Sequence, residues 1–337
     1  MATTYYADFD LTTGNNTGAD AANAWKTMAD VIAGSNGTAP AAGDTVLCKN
    51  TDTLSGVCSW TISGSYDGGY VKLIGVDASW ANVGGSTRAV LDRAGGASIC
   101  LSIAASYVWF ENFEIKGAGT TGSAYHGVQF ASGGYRDYNV FINCYSHNNS
   151  GNGFDGNGGY ARYATLIRCR ASENAVDGFV ALKDTSCCFC RSDNNTGRGF
   201  YPYGTVTSLL YGCISHDNGT DGIYNYFGAG LINCTSVENA GDGIGVNYIN
   251  KFPMVGCRVT GNAIGLNNAA NIRIPVFYYY GDNTTEMAGY YDEILNDGEN
   301  TVTLNGTDTD EGFSDPTTND YSLASDATYR REAIEIP

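Results

Sequence analysis

Cys213–Ile223 reads CISHDNGTDGI: a cysteine, an asparagine five residues on, then a glycine nine residues on with an apolar residue behind it. The pattern recurs. Cys144, Cys169, Cys190, Cys213, Cys234 and Cys257 are spaced by 25, 21, 23, 21 and 23 residues, and each is followed at the same distance by Asn149, Asn174, Asn195, Asn218, Asn239 or Asn262. Gly153, Gly178, Gly199, Gly222 and Gly243 complete the register, with Gly265 one residue early, and Phe154, Phe179, Phe200, Ile223, Ile244 and Leu266 come next. A period near 22 with this many fixed positions is the signature of a solenoid.

The local pattern selects the kind of solenoid. Strand-like runs such as NVFINC (139–144), ATLIRC (164–169) and GLINC (230–234) lead into the cysteines, with no helical half and no leucine repeat. Alternation predicts that the cysteines point inward. It predicts the same for residues two before them (Ile142, Ile167, Cys188, Tyr211, Ile232, Val255) and two after (Ser146, Ala171, Ser192, Ser215, Ser236, Val259). Cysteine is small and apolar enough to stack on its own copy. The asparagines are expected at tight left-handed bends and hydrogen-bonded into a ladder. The fold expected is all-β, a right-handed single-stranded parallel β-helix over 46–275. An N-terminal cap with an amphipathic helix (1–45) precedes it and a β-rich extension (276–337) follows.

The opening segments YYADFD (5–10), GNNTGADAANAWKTMADVIA (14–33) and AAGDTVLCKN (41–50), with the repeats, resemble the pectate-lyase-like β-helix superfamily. Ala21–Ile32 would be the capping helix, with Trp25, Met28, Ala29 and Ile32 on its apolar stripe. The closing segment DPTTNDYSLASDATYRREAIEIP (315–337) is similar to the ends of β-helix proteins of phages. Lyases of the superfamily take a proton with a basic residue, commonly beside Ca²⁺. Lys116, Lys183 and Lys251 share no column here, so no such residue carries over.

Composition narrows the partners. A net charge of −17 leaves too little Lys and Arg to neutralise phosphates, which argues against nucleic acid. No apolar run is long enough for a bilayer, and the first residues lack a secretory pattern. The eleven cysteines are accordingly read as reduced thiols, in a protein made in a host cytoplasm.

Two sets of residues carry candidate chemistry. Ahead of the glycines stand Asn152, Asp177, Arg198, Asp221, Asp242 and Ile264. Asp221 and Asp242 would lie about 5 Å apart, a spacing that suits a retaining glycosidase, and Arg198 between Asp177 and Asp221 could hold a uronic acid. The preferred reading is that Asp-Gly closes a turn, so no catalytic residue is favoured; the enzymatic alternative would use Asp177, Asp221, Asp242 and Glu238. Glu173, Asp217 and Glu238 read as a solvated ridge ahead of a weak Ca²⁺ site, and Cys187–Cys190 (CCFC) as core ahead of a zinc site. No cofactor is expected. The second set, Tyr201, Tyr203, Tyr224 and Tyr226, with Phe227, Tyr248 and 277–280 as extensions, should lie on the outside. They would serve as a subunit contact, the preferred reading because polar-tipped aromatics are enriched at interfaces, or as a sugar platform.

The expected function is a structural component of a phage or viral particle, of the head-decoration or fibre type. It would form a homotrimer, contact other virion proteins and meet a cell-surface glycan. The alternative is a tailspike-like glycan depolymerase, either a polysaccharide lyase or a glycoside hydrolase.

Overall fold

The computed structural model describes residues 2–82, 88–156, 160–180, 183–202, 208–226, 228–246 and 254–268, with side chains through Asn267. Beyond them it describes the backbone of six strands between Val276 and Leu323. Three stacks of parallel strands wind into a right-handed β-helix. The first stack begins with Thr4–Asp8 on Thr45–Lys49 and Val71–Gly75 and continues through Val108–Glu111, Val140–Ile142, Thr165–Ile167, Ser186–Cys188, Leu209–Tyr211 and Gly230–Ile232. The second runs from Thr51–Thr53 through Tyr145–His147, Arg170–Ser172 and Arg191–Asp193 to Thr235–Val237. The third runs from Cys58–Trp60 through Phe154–Asp155, Phe179–Val180, Phe200–Tyr201 and Ile223–Asn225 to Asp242–Val246 and Ile264–Asn268.

Pairing is in register, so like side chains stack. Phe154, Phe179 and Phe200 lie face to face at 5.0 and 4.8 Å. All six repeat cysteines are buried and free, and Phe113 occupies the cysteine position one coil earlier. Each thiol also donates to a carbonyl of the preceding coil: Cys169 to Phe141 O at 3.4 Å, Cys213 to Cys187 O at 3.2 Å. The asparagine ladder is continuous. Asn149, Asn174, Asn195, Asn218 and Asn239 each donate Nδ2–H to the Oδ1 of the next asparagine at 2.9 Å. The glycine column follows from this close packing, since a Cβ on Gly178 would stand 2.0 Å from Ser192 Oγ.

Two expectations about the repeat are corrected. The residue before each cysteine takes a left-handed conformation (Asn143, Arg168, Phe189, Gly212, Asn233, Gly256; φ between +51° and +64°), and that bend interrupts the alternation. The inward residues are therefore three before the cysteine: Phe141, Leu166, Cys187, Leu210, Leu231 and Met254, all buried. Ile142, Ile167, Cys188, Tyr211, Ile232 and Val255 point outward instead. The ladder asparagines, likewise, are not the left-handed residues. Those precede the ladder: Asn148, Glu173, Asn194, Asp217, Glu238 and Gly261.

The N-terminal helix is shorter than expected. Asp20 caps a single 3-10 turn at Ala21–Asn23, and Trp25 leaves helical geometry to form a parallel bridge with Ala7. The α-helix is Met28–Ala33, capped by Thr27 and closed by Gly34 at φ +62°. Trp25, Met28 and Val31 are buried in the core, whereas Ala29 faces solvent. At the other end, parallel pairing runs past 275, through Val276–Asp282 and Thr285–Gly289. Two antiparallel pairs follow, Ile294–Asn296 with Asn300–Val302 and Phe313–Asp315 with Asp320–Leu323.

Candidate functional site

The column ahead of the glycines forms one strip at the start of the third stack, and His126 belongs to it one coil before Asn152. Its side chains mostly bond along the column. Asn152 Oδ1 accepts the Asp177 N–H at 3.0 Å, Asp177 Oδ1 accepts the Arg198 N–H, and Asp221 Oδ1 accepts the Asp242 N–H at 3.0 Å. Asp242 Oδ2 takes the Asn267 amide at 2.8 Å. These carboxylates do for the backbone what a cap does for a helix end, satisfying an N–H in the coil beyond. Burial pushes the Asp177 carboxyl above the usual carboxylate range, against the pull of Arg198. Burial also raises Asp242, helped by the charge of Asp221 and opposed by Asn267.

Arg198 sits at the centre of the strip. Its Nε lies 3.5 Å from Asp221 Oδ2, and its guanidinium lies 4.1 Å from the Tyr224 ring and 4.7 Å from the Tyr201 ring. Tyr201 meets Tyr224 and Tyr226 edge to face at 5.4 and 6.3 Å. Tyr201, Tyr224 and Tyr226 form one cluster and are half-buried, with Tyr201 and Tyr224 against the cation. Tyr203, Phe227 and Tyr248 lie outside the described residues, as do the side chains of 277–280. Glu238 is not part of the strip. It is an exposed left-handed residue at the preceding bend, φ +53°.

Sequence reasoning missed two polar clusters. His126 Nε2 donates to Asp155 Oδ2 at 3.0 Å while its Nδ1 accepts the Asn152 N–H at 2.9 Å. Both ring nitrogens are occupied, which fixes the neutral tautomer; burial lowers the His126 pKa in spite of Asp155. Asp193, fully buried, receives two bonds from Arg170 (2.8 and 2.6 Å) and one from Arg191 (2.9 Å). The other histidines are spoken for: His147 pairs with Glu114 at 3.1 Å and His216 with Asp217 at 2.8 Å. The hydrogen bond from His147 leads the causes that hold the Glu114 carboxyl down to about 2. His216–Asp217 and Arg191–Asp193 are local in sequence, whereas the His126–Asp155, His147–Glu114 and Arg170–Asp193 pairs need the register of the stacks.

Among the described residues, no three His, Cys, Asp or Glu side chains are grouped to hold a metal ion. In the CCFC segment, Cys187 and Cys190 are interior and Cys188 is half-exposed on the outside. No helix among the described residues is long and apolar enough to cross a membrane.

Solved structures share this winding. A pectate lyase, Pel9A, superposes with a TM-score of 0.60 at 17% identity, covering 97% of this chain and 88% of its own. The fold is the pectate-lyase-like parallel β-helix. A rhamnogalacturonan lyase matches with a TM-score of 0.54 at 13% identity, covering 93% and 91%. The Geobacillus virus E2 ORF18 protein matches at 0.52 and 11% identity, covering 84% of this chain and 58% of the viral one. No protein-family model and no curated protein matches the sequence. Similarity at these identities establishes the fold alone.

Proposed function

We propose that the chain is a structural component of a virus particle, of the head-decoration or fibre type, assembling as a homotrimer and with other virion proteins. The observation that carries this reading is the use made of the acidic strip. Asp177 and Asp221 are each committed to a backbone N–H, Asp242 to Asn267, and Arg198 neutralises the centre. A retaining glycosidase needs one carboxylate free to attack and one acid free to donate. The viral ORF18 neighbour supports the same direction. The test is whether the protein sediments with particles purified through a density gradient from virus-producing cells. Its absence from clean particles would overturn the proposal.

A second reading, a glycan depolymerase, is favoured by one specific observation. Asp177 is raised toward its acid form beside the Arg198 cation, which Tyr201 and Tyr224 line, and lyases are among the fold neighbours. Release of reducing ends or unsaturated products from acidic or neutral polysaccharides would establish it. The same surface could bind a cell-surface glycan without cutting it.

A further inference from the structure

The loop around Trp80 and Asn82 packs on Tyr6, Lys49 and Glu111 in the early coils of the first stack; from Val140 onward the outer face of the stack carries an apolar column. The outward column Ile142, Ile167, Cys188, Tyr211, Ile232 and Val255 runs up six successive coils. On one side of it, Phe189 projects from the left-handed bend, 54% exposed, edge to face with Tyr211 at 5.2 Å. On the other, Tyr107, Tyr138 and Tyr163 form a ladder with ring spacings of 5.1 and 5.2 Å, and Tyr138 and Tyr163 are 41% and 43% exposed.

The ladder stands at one of the left-handed bends of each coil. Tyr107, Tyr138 and Tyr163 hold φ at +57°, +57° and +55°, Asp184 follows at +50°, and later in the column Gly228 takes the left-handed region at no steric cost. Exposed rings at Tyr138, Tyr163, Phe189 and Tyr211 on both sides of an apolar column point to a surface kept for a partner.

We propose that this face is where copies of the chain meet, and that it, rather than the Tyr201 cluster, is the subunit interface. The inference rests on the self-assembly reading above. Size is that of a docking patch. Six coils at roughly 4.8 Å and a strand with its two bends give a face on the order of 24 by 15 Å. That is about 360 Å², in the range of the largest apolar patch on a monomer, which is often functional.

Charge also fits. Copies of a chain at −17 repel wherever acids meet. On this face and its tyrosine edge, Lys72, Arg162, Arg168 and Lys183 stand against Glu111, Asp137 and Asp184, so the charge nearly cancels. Arg162 and Asp137 are already paired, at 2.7 Å.

Ring geometry decides against a sugar as the occupant. Carbohydrates stack on open aromatic faces, but the tyrosine faces here are covered by one another. Trp109 is approached by Tyr70 at 6.0 Å and by the Lys72 ammonium at 5.5 Å. What remains exposed is ring edges and hydroxyls, which suit packing against protein.

The test is the solution mass of the full chain at micromolar concentration by light scattering. The wild type is compared with Ile167→Lys/Ile232→Lys, with Tyr138→Gly/Tyr163→Gly, and with Tyr201→Ser/Tyr224→Ser, each checked for its β-sheet circular dichroism. The expected result is a wild type with the mass of three chains. The first two variants should dissociate at least 100-fold more readily with the sheet signal retained, and the Tyr201/Tyr224 variant should stay associated. Using two chemically different variants guards against a local folding defect, since the glycine changes relieve backbone strain. An oligomer that the first-stack variants leave intact overturns the interface and spares the assembly reading. A monomeric wild type overturns both.

Discussion

Asn195 Nδ2 lies 2.9 Å from Asn218 Oδ1 one coil on, and the same Oδ1 also accepts the Asn195 backbone N–H at 3.2 Å. One side-chain oxygen thus satisfies two buried donors, and Asn218 in turn donates to Asn239. The asparagines bind coil to coil inside the solenoid, so each is a joint between two repeats.

Removing one joint should be costly. Asn218→Ala leaves the Asn195 amide and N–H without their acceptor, at about 1–3 kcal/mol for each buried group. We expect a loss of roughly 2–4 kcal/mol in urea unfolding, with the m-value unchanged. A loss below 1 kcal/mol would mean that the ladder contributes little.

The thiol column makes a sharper contrast. Cys213 is fully buried, its thiol pushed far up by burial, and it donates to Cys187 O. Cys213→Ser keeps size and donor and should cost no more than about 1–2 kcal/mol. Cys213→Asp would bury a charge and should prevent folding. In the native protein a thiol reagent should label Cys188 first, because the other ten cysteines are buried. Rapid labelling of all six column thiols would contradict the packing described.

The bend before the cysteines offers a test with the opposite sign. Arg168 holds φ +52° on the surface, where Gly212 and Gly256 already serve two other coils. Arg168→Gly should be neutral or stabilise by up to about 1 kcal/mol. Gly212→Ala should destabilise, since its Cβ would stand 2.7 Å from the Phe189 ring. Thermal unfolding of both variants decides the point.

Acid should act through Asp193. Burial pushes this carboxyl up, but Arg170 and Arg191 outweigh it and hold it below its ordinary value. A folded-state pKa below the unfolded one means that the contribution is complete above the unfolded value. It is lost as pH falls through the folded value. Asp193→Asn should therefore lower the unfolding midpoint at pH 7 and make less difference at about pH 2. An effect independent of pH would show that the charge is not what holds the site.

The acidic strip has the reverse sign. Asp177, raised by burial, favours folding in its protonated form, and that advantage is lost as pH rises through the raised value. Asp177→Asn keeps the acceptor for the Arg198 N–H and should slightly raise stability at neutral pH, with no gain in acid. Asp221→Asn/Asp242→Asn should likewise fold. If the wild type cleaves a polysaccharide and this double variant does not, with its fold intact, the depolymerase reading replaces the structural one.

The sequence determined the solenoid, its period, the cysteine, serine and asparagine columns and the inward Phe and Ile of the third stack. A residue stacked on its own copy must suit itself, so the repeat writes those columns out. Tertiary structure decided what one coil cannot encode. The left-handed residue ahead of each cysteine shifts the alternation by one, turning Ile167 and Ile232 outward and Leu166 and Leu231 inward. The Arg170–Asp193 and His126–Asp155 pairs join residues 23 and 29 positions apart, so they exist only once the coils are in register. The apolar outer column and its tyrosine ladder depend on that same register. Composition reveals many tyrosines, but only the winding of the chain lines up Tyr107, Tyr138 and Tyr163.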